Sequence, residues 1–445
     1  MVDITRAELR SWLSQLTTEP IDPYREGGEA RYVALEDSGR DAVDSVFSRI
    51  SLAVDATTQL LSGPEGSGKT TELYRLQGML RDEGHTVVLV QISDYVNQSS
   101  EIDVTEFIIA LGLACGRQLG DPGAGEQESF VRRLWGFLQR VGVSLDLGPF
   151  RGEISADRAR AAVAGVSLEV DLQRELKSSK PFVEELREKL SFQVGALYEE
   201  VADYIGGLVA ADRARRPESA GVVVIVDSLE KLRGTIANDN SVQASVQALF
   251  VHHSSKLRFA THHMVYTVPP FLLFTDPGML PYDGTVRAVP VPPVRSRLGE
   301  RDAKAQRIRA NLVSAVSRRI PWESLLEEEA ALDRIISASG GHLRDLFKIL
   351  QELITLAHAQ RLTFPVGTDI AEEAIIRVGR GFSNITNEDA QFMRLIHGRR
   401  GLVEPRESEV HRLARLMNTH MVLAHLNHEN WYEVHPLACR TLGLE

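Results

Sequence analysis

The segment Gly63-Pro64-Glu65-Gly66-Ser67-Gly68-Lys69-Thr70 has the spacing G-x-x-x-x-G-K-[ST]. It lies directly after the apolar run TTQLL (57–61) and directly before Leu73, Leu76, Met79 and Leu80, which recur at helical spacing. A buried strand that feeds through a glycine turn into a helix leaves few folds open. The glycines at 66 and 68 allow the backbone to curl so that consecutive N–H groups face one spot, and the helix start adds its positive dipole end. Such a nest suits phosphate, with Lys69 in reach of β- and γ-oxygens and the Thr70 hydroxyl available to Mg²⁺. The context of strand and helix makes a coincidental glycine turn a poor explanation. The expected phosphate contacts are Gly63, Pro64, Glu65, Gly66, Ser67, Gly68, Lys69, Thr70 and Thr71.

After this helix, with Gly84 as its cap, TVVLVQI (86–92) reads as a second strand, which completes one βαβ unit. The next strong strand, VVVIV (222–226), comes roughly 125 residues later, far more than a crossover needs, so a large insertion is expected. Within it we read helices near 104–119 and 127–140, a hairpin from alternating runs near 142–147 and 166–171, and one long helix over 182–214. A helix near 241–256 leads to the strand HMVYTV (263–268), and the Pro-rich stretch 281–295 reads as a connector leaving the core. Before the glycine turn, a helix over 7–16 and the segment RYVAL (31–35) form a lead-in arm, followed by a helix over 41–52.

Four helical patterns follow the connector (302–318, 323–337, 342–360 and 369–379) and suit a small bundle. Two more helices (387–397 and 408–418) precede VLAHL and WYEVH, two short strands around Asn427-His428-Glu429-Asn430, which suggests a winged-helix module. The chain thus divides into an arm (1–40), an α/β core with a parallel sheet (41–298, insertion about 120–216), a helical lid (299–382) and a winged-helix-like module (383–445).

Composition narrows the class of molecule. With 43% hydrophobic and 25% charged residues the chain matches a folded globular protein, and its formal charge of −11 gives no global attraction to nucleic acid or anionic membrane. Contact with DNA therefore needs a local surface. Arg399, Arg400, Arg406, Arg412 and Arg415 could form one in the tail, but Glu404, Glu407 and Glu409 are interleaved, so a solvated helix face is an equal reading. The two cysteines, Cys115 and Cys439, are too few for a disulfide framework or thiolate cage. His252-His253 and His262-His263 lack an acid or thiolate at ligand spacing, so no metal is read there. The start carries no signal peptide and no run nears ~18 apolar residues. A cytoplasmic protein without membrane contact is expected.

The run VVVIVDSLEKL delivers Asp227 to the C-terminal edge of a buried parallel strand, next to the phosphate loop, where it should hold magnesium together with Thr70. Glu230 is the candidate to orient the attacking water, the alternative being a helix-start carboxylate. Thr267, ending the next strand, either contacts the γ-phosphate or satisfies backbone. The turn Ser339-Gly340-Gly341-His342-Leu343-Arg344 sets Arg344 in the first turn of a helix, where a cation opposes the dipole. A nearby anion such as a γ-phosphate would account for it.

The phosphate loop, the strand ending in DSLE, the terminal Thr267 and the GGHLR turn, in this order, resemble AAA+ ATPases of the origin-recognition and STAND-like group. That resemblance implies a P-loop ATPase fold with Lys69 and Thr70 as Walker A, Asp227 and Glu230 as Walker B acids, Thr267 as sensor 1 and Arg344 as sensor 2. It further implies Tyr32 and Val33 beside adenine, and a trans arginine from among Arg295, Arg297, Arg318 and Arg319. The expected cofactors are ATP and Mg²⁺, and a homo-oligomer is expected on ATP binding, with DNA or a protein as partner of the C-terminal module. Many AAA+ proteins place the glutamate directly after the aspartate, whereas here Ser228 follows Asp227. A switch ATPase in replication, transposition or defence assemblies is the implied activity, and a slow or non-hydrolysing regulatory module is the alternative. A small-molecule kinase or GTPase is disfavoured, since no guanine-reading N-K-x-D motif occurs.

Overall fold

A computed structural model describes residues 4–34, 40–120, 129–142, 162–232, 234, 238–399, 401, 406–427 and 429–444. Ahead of the sheet come α1 (Arg6–Gln15), the single turn α2 (Gly28–Arg31) and α3 (Arg40–Ser51). The core continues β1 (Thr58–Ser62), α4 (Lys69–Asp82), β2 (His85–Gln91), a helical block α5–α9, β3 (Gly221–Asp227), α10 (Asp239–Val251), β4 (His263–Val268) and β5 (Arg287–Ala288).

The five strands are all parallel in the order β2-β3-β4-β1-β5. Their register decides where the chemistry falls. Gln91 lies opposite Asp227, and Leu61 opposite Thr267, so the last residues of β1 to β4 share one edge from which the phosphate loop springs. Successive strand residues face opposite sides. Leu61, Val87, Val223, Ile225 and Val265 pack against α3 and α4, while Leu60, Val88, Val224, Val226 and Tyr266 pack on the other face. An α/β core with helices on both faces of a parallel sheet is therefore observed, as the β-branched runs required.

The second face is covered by the expected insertion, whose helices are α5 (Val104–Leu119), α6 (Phe130–Arg140), α7 (Ala162–Ser178), α8 (Lys180–Leu190) and α9 (Val194–Arg215). They share one cluster of buried apolar side chains with the sheet, so the insertion is an integral layer of the core. Two readings are corrected here. Residues 166–171 belong to helix α7, because Leu172 and Leu176 continue the apolar pattern at helical spacing and are buried. Residues 143–147 of the supposed hairpin lie outside the described residues, as do 127 and 128. The long helix over 182–214 is broken between Leu190 and Val194, which lets Leu186 and Leu190 on one segment and Leu197 and Val201 on the other enter the same core, leaving Phe192 exposed at the bend.

The Pro-rich connector is more than a linker. Its Arg287 and Ala288 pair with Leu61 and Ser62, and Val289 N donates to Ser62 O at 2.8 Å, so it extends the sheet beside the phosphate loop. Beyond it come α11 (Ala303–Ser317), α12 (Trp322–Leu325), α13 (Glu329–Ser339), α14 (Leu343–Ala359) and α15 (Thr368–Gly379). The expected helix over 323–337 is split because Leu326 bridges Val366 in extended form. The tail is α16 (Asn387–Gly398), α17 (Glu407–Asn418), the antiparallel pair β6 (Val422–Asn427) and β7 (Glu429–Val434), and a final helix α18 (Pro436–Leu442) that the sequence reading did not foresee. Lid, tail and α1 share a single hydrophobic cluster, to which Leu9 and Trp12 of α1, Leu16 just after it, and Leu350 and Leu353 of α14 all belong. No helix among the described residues is long and apolar enough to cross a membrane.

Candidate functional site

Between β1 and α4 the loop curls through left-handed glycines at 66 (φ 79°) and 68 (φ 96°), conformations that cost other residues strain. Gly63 is tight for a different reason: a Cβ there would sit 2.4 Å from Val289 O of the connector. Lys69 is buried under the loop, and its Nζ donates to Gly63 O and Pro64 O, both at 2.8 Å. Its third neighbour is Glu230 Oε1 at 3.3 Å, an ion pair in which both side chains are 3% exposed.

Glu230 and Asp227 are positioned by the end of β3. Ser228 takes a left-handed conformation (φ 77°), which turns the chain sharply into a single 3₁₀ turn and carries Glu230 back under the loop. Asp227 is fully buried; its Oδ1 accepts from Ser228 N at 2.7 Å, and its Oδ2 accepts from Thr70 Oγ1 at 2.9 Å and Gln91 Nε2 at 3.0 Å. Thr70 and Asp227 thus present adjacent hard oxygens, a neutral hydroxyl and an anionic carboxylate, and the donor set fits Mg²⁺. Thr267 lies alongside: its Oγ1 accepts from Leu229 N at 3.4 Å, so here its hydroxyl serves backbone. Glu230 Oε2 is buried and has no hydrogen-bond partner.

The lid closes over the loop from above. Arg344 Nη1 pairs with Glu65 Oε1 at 2.7 Å, so the anion that offsets this first-turn cation is a phosphate-loop side chain. His342 Nε2 sits 2.9 Å from Glu65 O, and a Cβ on Gly66 would lie 2.5 Å from the same nitrogen, so Gly66 also makes room for the lid. Gly341 (φ 87°) holds the turn: a Cβ there would lie 2.0 Å from Pro292 O. Gly341→Ala should therefore lower the unfolding free energy by ~2 kcal/mol or more, read as a shifted midpoint in urea denaturation. An unchanged midpoint would show that the turn relaxes freely.

A partly open cavity of about 360 Å³ runs from the loop to the arm and lid. Tyr32 and Val33 line it, in extended backbone rather than a strand; Leu35, the last residue of RYVAL, lies outside the described residues. The arm is pinned by Ile21 N donating to Thr71 Oγ1 at 3.1 Å and by Tyr32 OH donating to Glu72 Oε1 at 2.9 Å. Arg318 donates to Tyr32 O and Arg319 to Arg31 O. Arg319 stands 4.5 Å over the Phe347 ring, its Nε unpartnered, and burial together with nearby Arg31 pushes it down to about 10. Sequence reasoning missed Gln91, Phe347 and the within-chain role of Arg319. A polar residue ending the apolar run of β2 was the available signal for Gln91, whereas Arg319 was masked because a cation at a helix end explains itself.

Elsewhere, Arg295 of the connector pairs with Glu433, and the tail cations Arg412 and Arg415 pair with Glu388 and, at 2.6 Å, with Asp389, so all three are held by acids of the same chain. Arg400 and Glu404 lie outside the described residues.

The parallel sheet, the glycine loop entering a helix and the acid at the end of β3, one strand removed from β1, define a P-loop ATPase core. No protein-family model matches the chain, and no curated protein does. Among solved structures it is similar to an Aeropyrum pernix ORC2 protein in ADPNP–ADP complexes, at 13% identity over 97% of this chain and 95% of that one, with a TM-score of 0.42. Similar too are the Drosophila ORC bound to DNA (10% identity, 100% and 93% covered, TM-score 0.40) and the Walker-type ATPase of Pyrococcus abyssi (12%, 96% and 99%, TM-score 0.40).

Proposed function

We propose that the chain binds ATP with Mg²⁺ and hydrolyses it as a switch. The observation that carries this reading is the buried pair of contacts under the loop, Lys69 to Glu230 and Thr70 to Asp227, which gathers a cation for the phosphates, a metal seat and a general base within one cluster. When ATP and Mg²⁺ are bound, Thr70 and Asp227 would hold the ion, and Lys69 would exchange Glu230 for the β- and γ-oxygens. Glu230, released, would orient water. Arg344 would exchange Glu65 for the γ-phosphate, so that the lid reports whether that group is present. ATP titration by calorimetry, followed by phosphate release at saturating ATP, tests binding and hydrolysis separately.

The alternative, a module that holds ATP and rarely cleaves it, is favoured by one observation: Glu230 is engaged by Lys69, so catalysis needs a rearrangement first. Assembly belongs to the proposal as well. Arg318 and Arg319 are tied to the chain's own arm and Arg295 to its own Glu433, so a trans arginine would have to leave such a contact. Sedimentation with a non-hydrolysable ATP analogue should show a shift towards oligomers, and specific ATPase activity should rise with concentration. A strict monomer with concentration-independent hydrolysis would remove self-association from the reading. The tail, with its two helices and hairpin, is proposed as the winged-helix-like part that meets DNA or a protein, and the cytoplasm as its compartment.

A further inference from the structure

The densest group of titratable side chains outside the phosphate pocket lies where lid, hairpin and phosphate loop meet. Asp345, buried in α14, turns Oδ2 towards three imidazoles: His342 Nδ1 at 2.7 Å, His420 Nδ1 at 3.3 Å and His435 Nε2 at 3.4 Å. The rings of His342 and His420 lie 4.1 Å apart between centroids. These residues come from three parts of the chain: the first turn of α14 with its cap, the turn after α17 and the residue after β7.

Placing the hydrogens exposes an electrostatic gap. His342 Nε2 faces the Glu65 carbonyl, which only accepts, so that nitrogen carries a hydrogen; in the neutral ring Nδ1 is then a lone pair aimed at a carboxylate. His435 Nδ1 accepts from Leu437 N at 3.1 Å, which puts its hydrogen on Nε2, as an outer donor towards Asp345. Despite the short separations, His342 Nδ1, Asp345 Oδ2 and His435 Nε2 are all buried without an aligned hydrogen bond. A ring lone pair aimed at a buried carboxylate calls for a cation between them.

The spacing says which kind. One ligand atom each from His342, Asp345 and His420 lies within 4.8 Å of the other two. Around tetrahedral zinc, with bonds of ~2.0–2.2 Å, ligand atoms stand about 3.3 Å apart; the pair of Asp345 Oδ2 and His420 Nδ1 has this spacing at 3.3 Å, and the pair with His342 Nδ1, at 2.7 Å, has to open as the ion enters. His420 adopts a left-handed backbone (φ 60°), uncommon for a residue other than glycine, in the turn from which its ring reaches His342. An open cleft bordered by Asn418, His420 and Arg344 gives a path for entry and room for a water.

We propose that His342 Nδ1, His420 Nδ1 and Asp345 Oδ2 bind one zinc-like transition-metal ion, with a water as fourth ligand and His435 hydrogen-bonded to the carboxylate behind it. Two imidazoles and a carboxylate suit Zn²⁺ better than Mg²⁺ or Ca²⁺. Any proton that bridges His342 and Asp345 in the metal-free chain leaves to solvent as the ion enters. The ion then clamps the hairpin to the lid and fixes His342, whose other nitrogen meets Glu65 of the phosphate loop. This consequence for the nucleotide rests on the proposed function; metal binding itself does not.

The test uses the full chain with its purification tag removed. Metal-free protein is titrated with Zn²⁺ against a chromophoric chelator, and Co²⁺ is substituted to read the tetrahedral absorption bands. The expected result is about one Zn²⁺ per chain, with affinity at least tenfold weaker in His420→Asn, a change that keeps a side chain suited to the left-handed turn. Asp345→Asn should abolish uptake, and His420→Asn covers the case in which that variant does not fold. Lys69→Ala should retain the metal, which separates this site from the nucleotide site. Wild-type protein that takes up less than about a tenth of an equivalent, or equal uptake by His420→Asn, would overturn the proposal and leave a proton as the bridging cation.

Discussion

Lys69→Ala should weaken ATP binding at least tenfold, ~1.4 kcal/mol, because among the described residues no other one beneath the loop brings a full positive charge to where the β- and γ-phosphates would lie. The structure adds a second consequence. The same ammonium neutralises Glu230, and both side chains are 3% exposed. Truncating the lysine leaves a buried carboxylate with no cation, an arrangement that costs on the order of 3–5 kcal/mol. Lys69→Ala should thus be markedly less stable than wild type even without ATP. Glu230→Gln placed on top of it should restore part of the loss, since a neutral amide replaces the stranded charge. Calorimetric titration measures the first effect, and urea denaturation of wild type, single and double variants measures the second. Equal stability of Lys69→Ala and the double variant would mean that the Lys69–Glu230 pair contributes nothing to folding.

This coupling was only half legible in the sequence. The glycine spacing after β1 and the β-branched run of β3 each dictate a local structure, and that both strands lie in one parallel sheet follows from the rule that such runs are buried between neighbours. Hence the sheet edge carrying Asp227 could be anticipated. That Lys69 and Glu230 touch depends on Ser228, a non-glycine residue at φ 77°, and no periodicity signals a left-handed residue at a strand end. The two-residue strand β5 escaped notice because it lies in a Pro-rich stretch and is recruited by β1, a long-range contact. Likewise α8 and α9 read as one helix, since the apolar pattern continues across a break that only the shared core with α5 requires. The His342–Asp345–His420 cluster was invisible for the same reason: His420 is far in sequence from His342 and Asp345, and none of the three lies in the histidine pairs that the sequence draws attention to.

Glu230→Gln should bind ATP as tightly as wild type, or more tightly, and lose about 10²-fold or more in turnover. The side chain keeps its shape, so Oε1 can still accept from Lys69, and the Thr70–Asp227 pair is not touched. What disappears is the charge. Before ATP arrives Lys69 divides its donors between loop carbonyls and Glu230; the glutamine competes less for that ammonium, so the phosphates meet a cation that is easier to win. On the proposed reading ATP would free the wild-type carboxylate, whose Oε2, buried and unpartnered, would then accept a proton from water. An amide cannot accept that proton. The same geometry explains how an acid displaced by three positions from Asp227 can stand in for one directly after it: the turn at Ser228 takes up the extra residues in a 3₁₀ loop and returns Glu230 to the phosphate loop. Binding by calorimetry and single-turnover hydrolysis, measured on the same preparation, separate the two effects. Turnover within about twofold of wild type would pass the role of base to another group, whereas a wild-type chain that binds ATP and shows no turnover would select the non-hydrolysing module, with the Lys69–Glu230 pair as the lock that keeps it so.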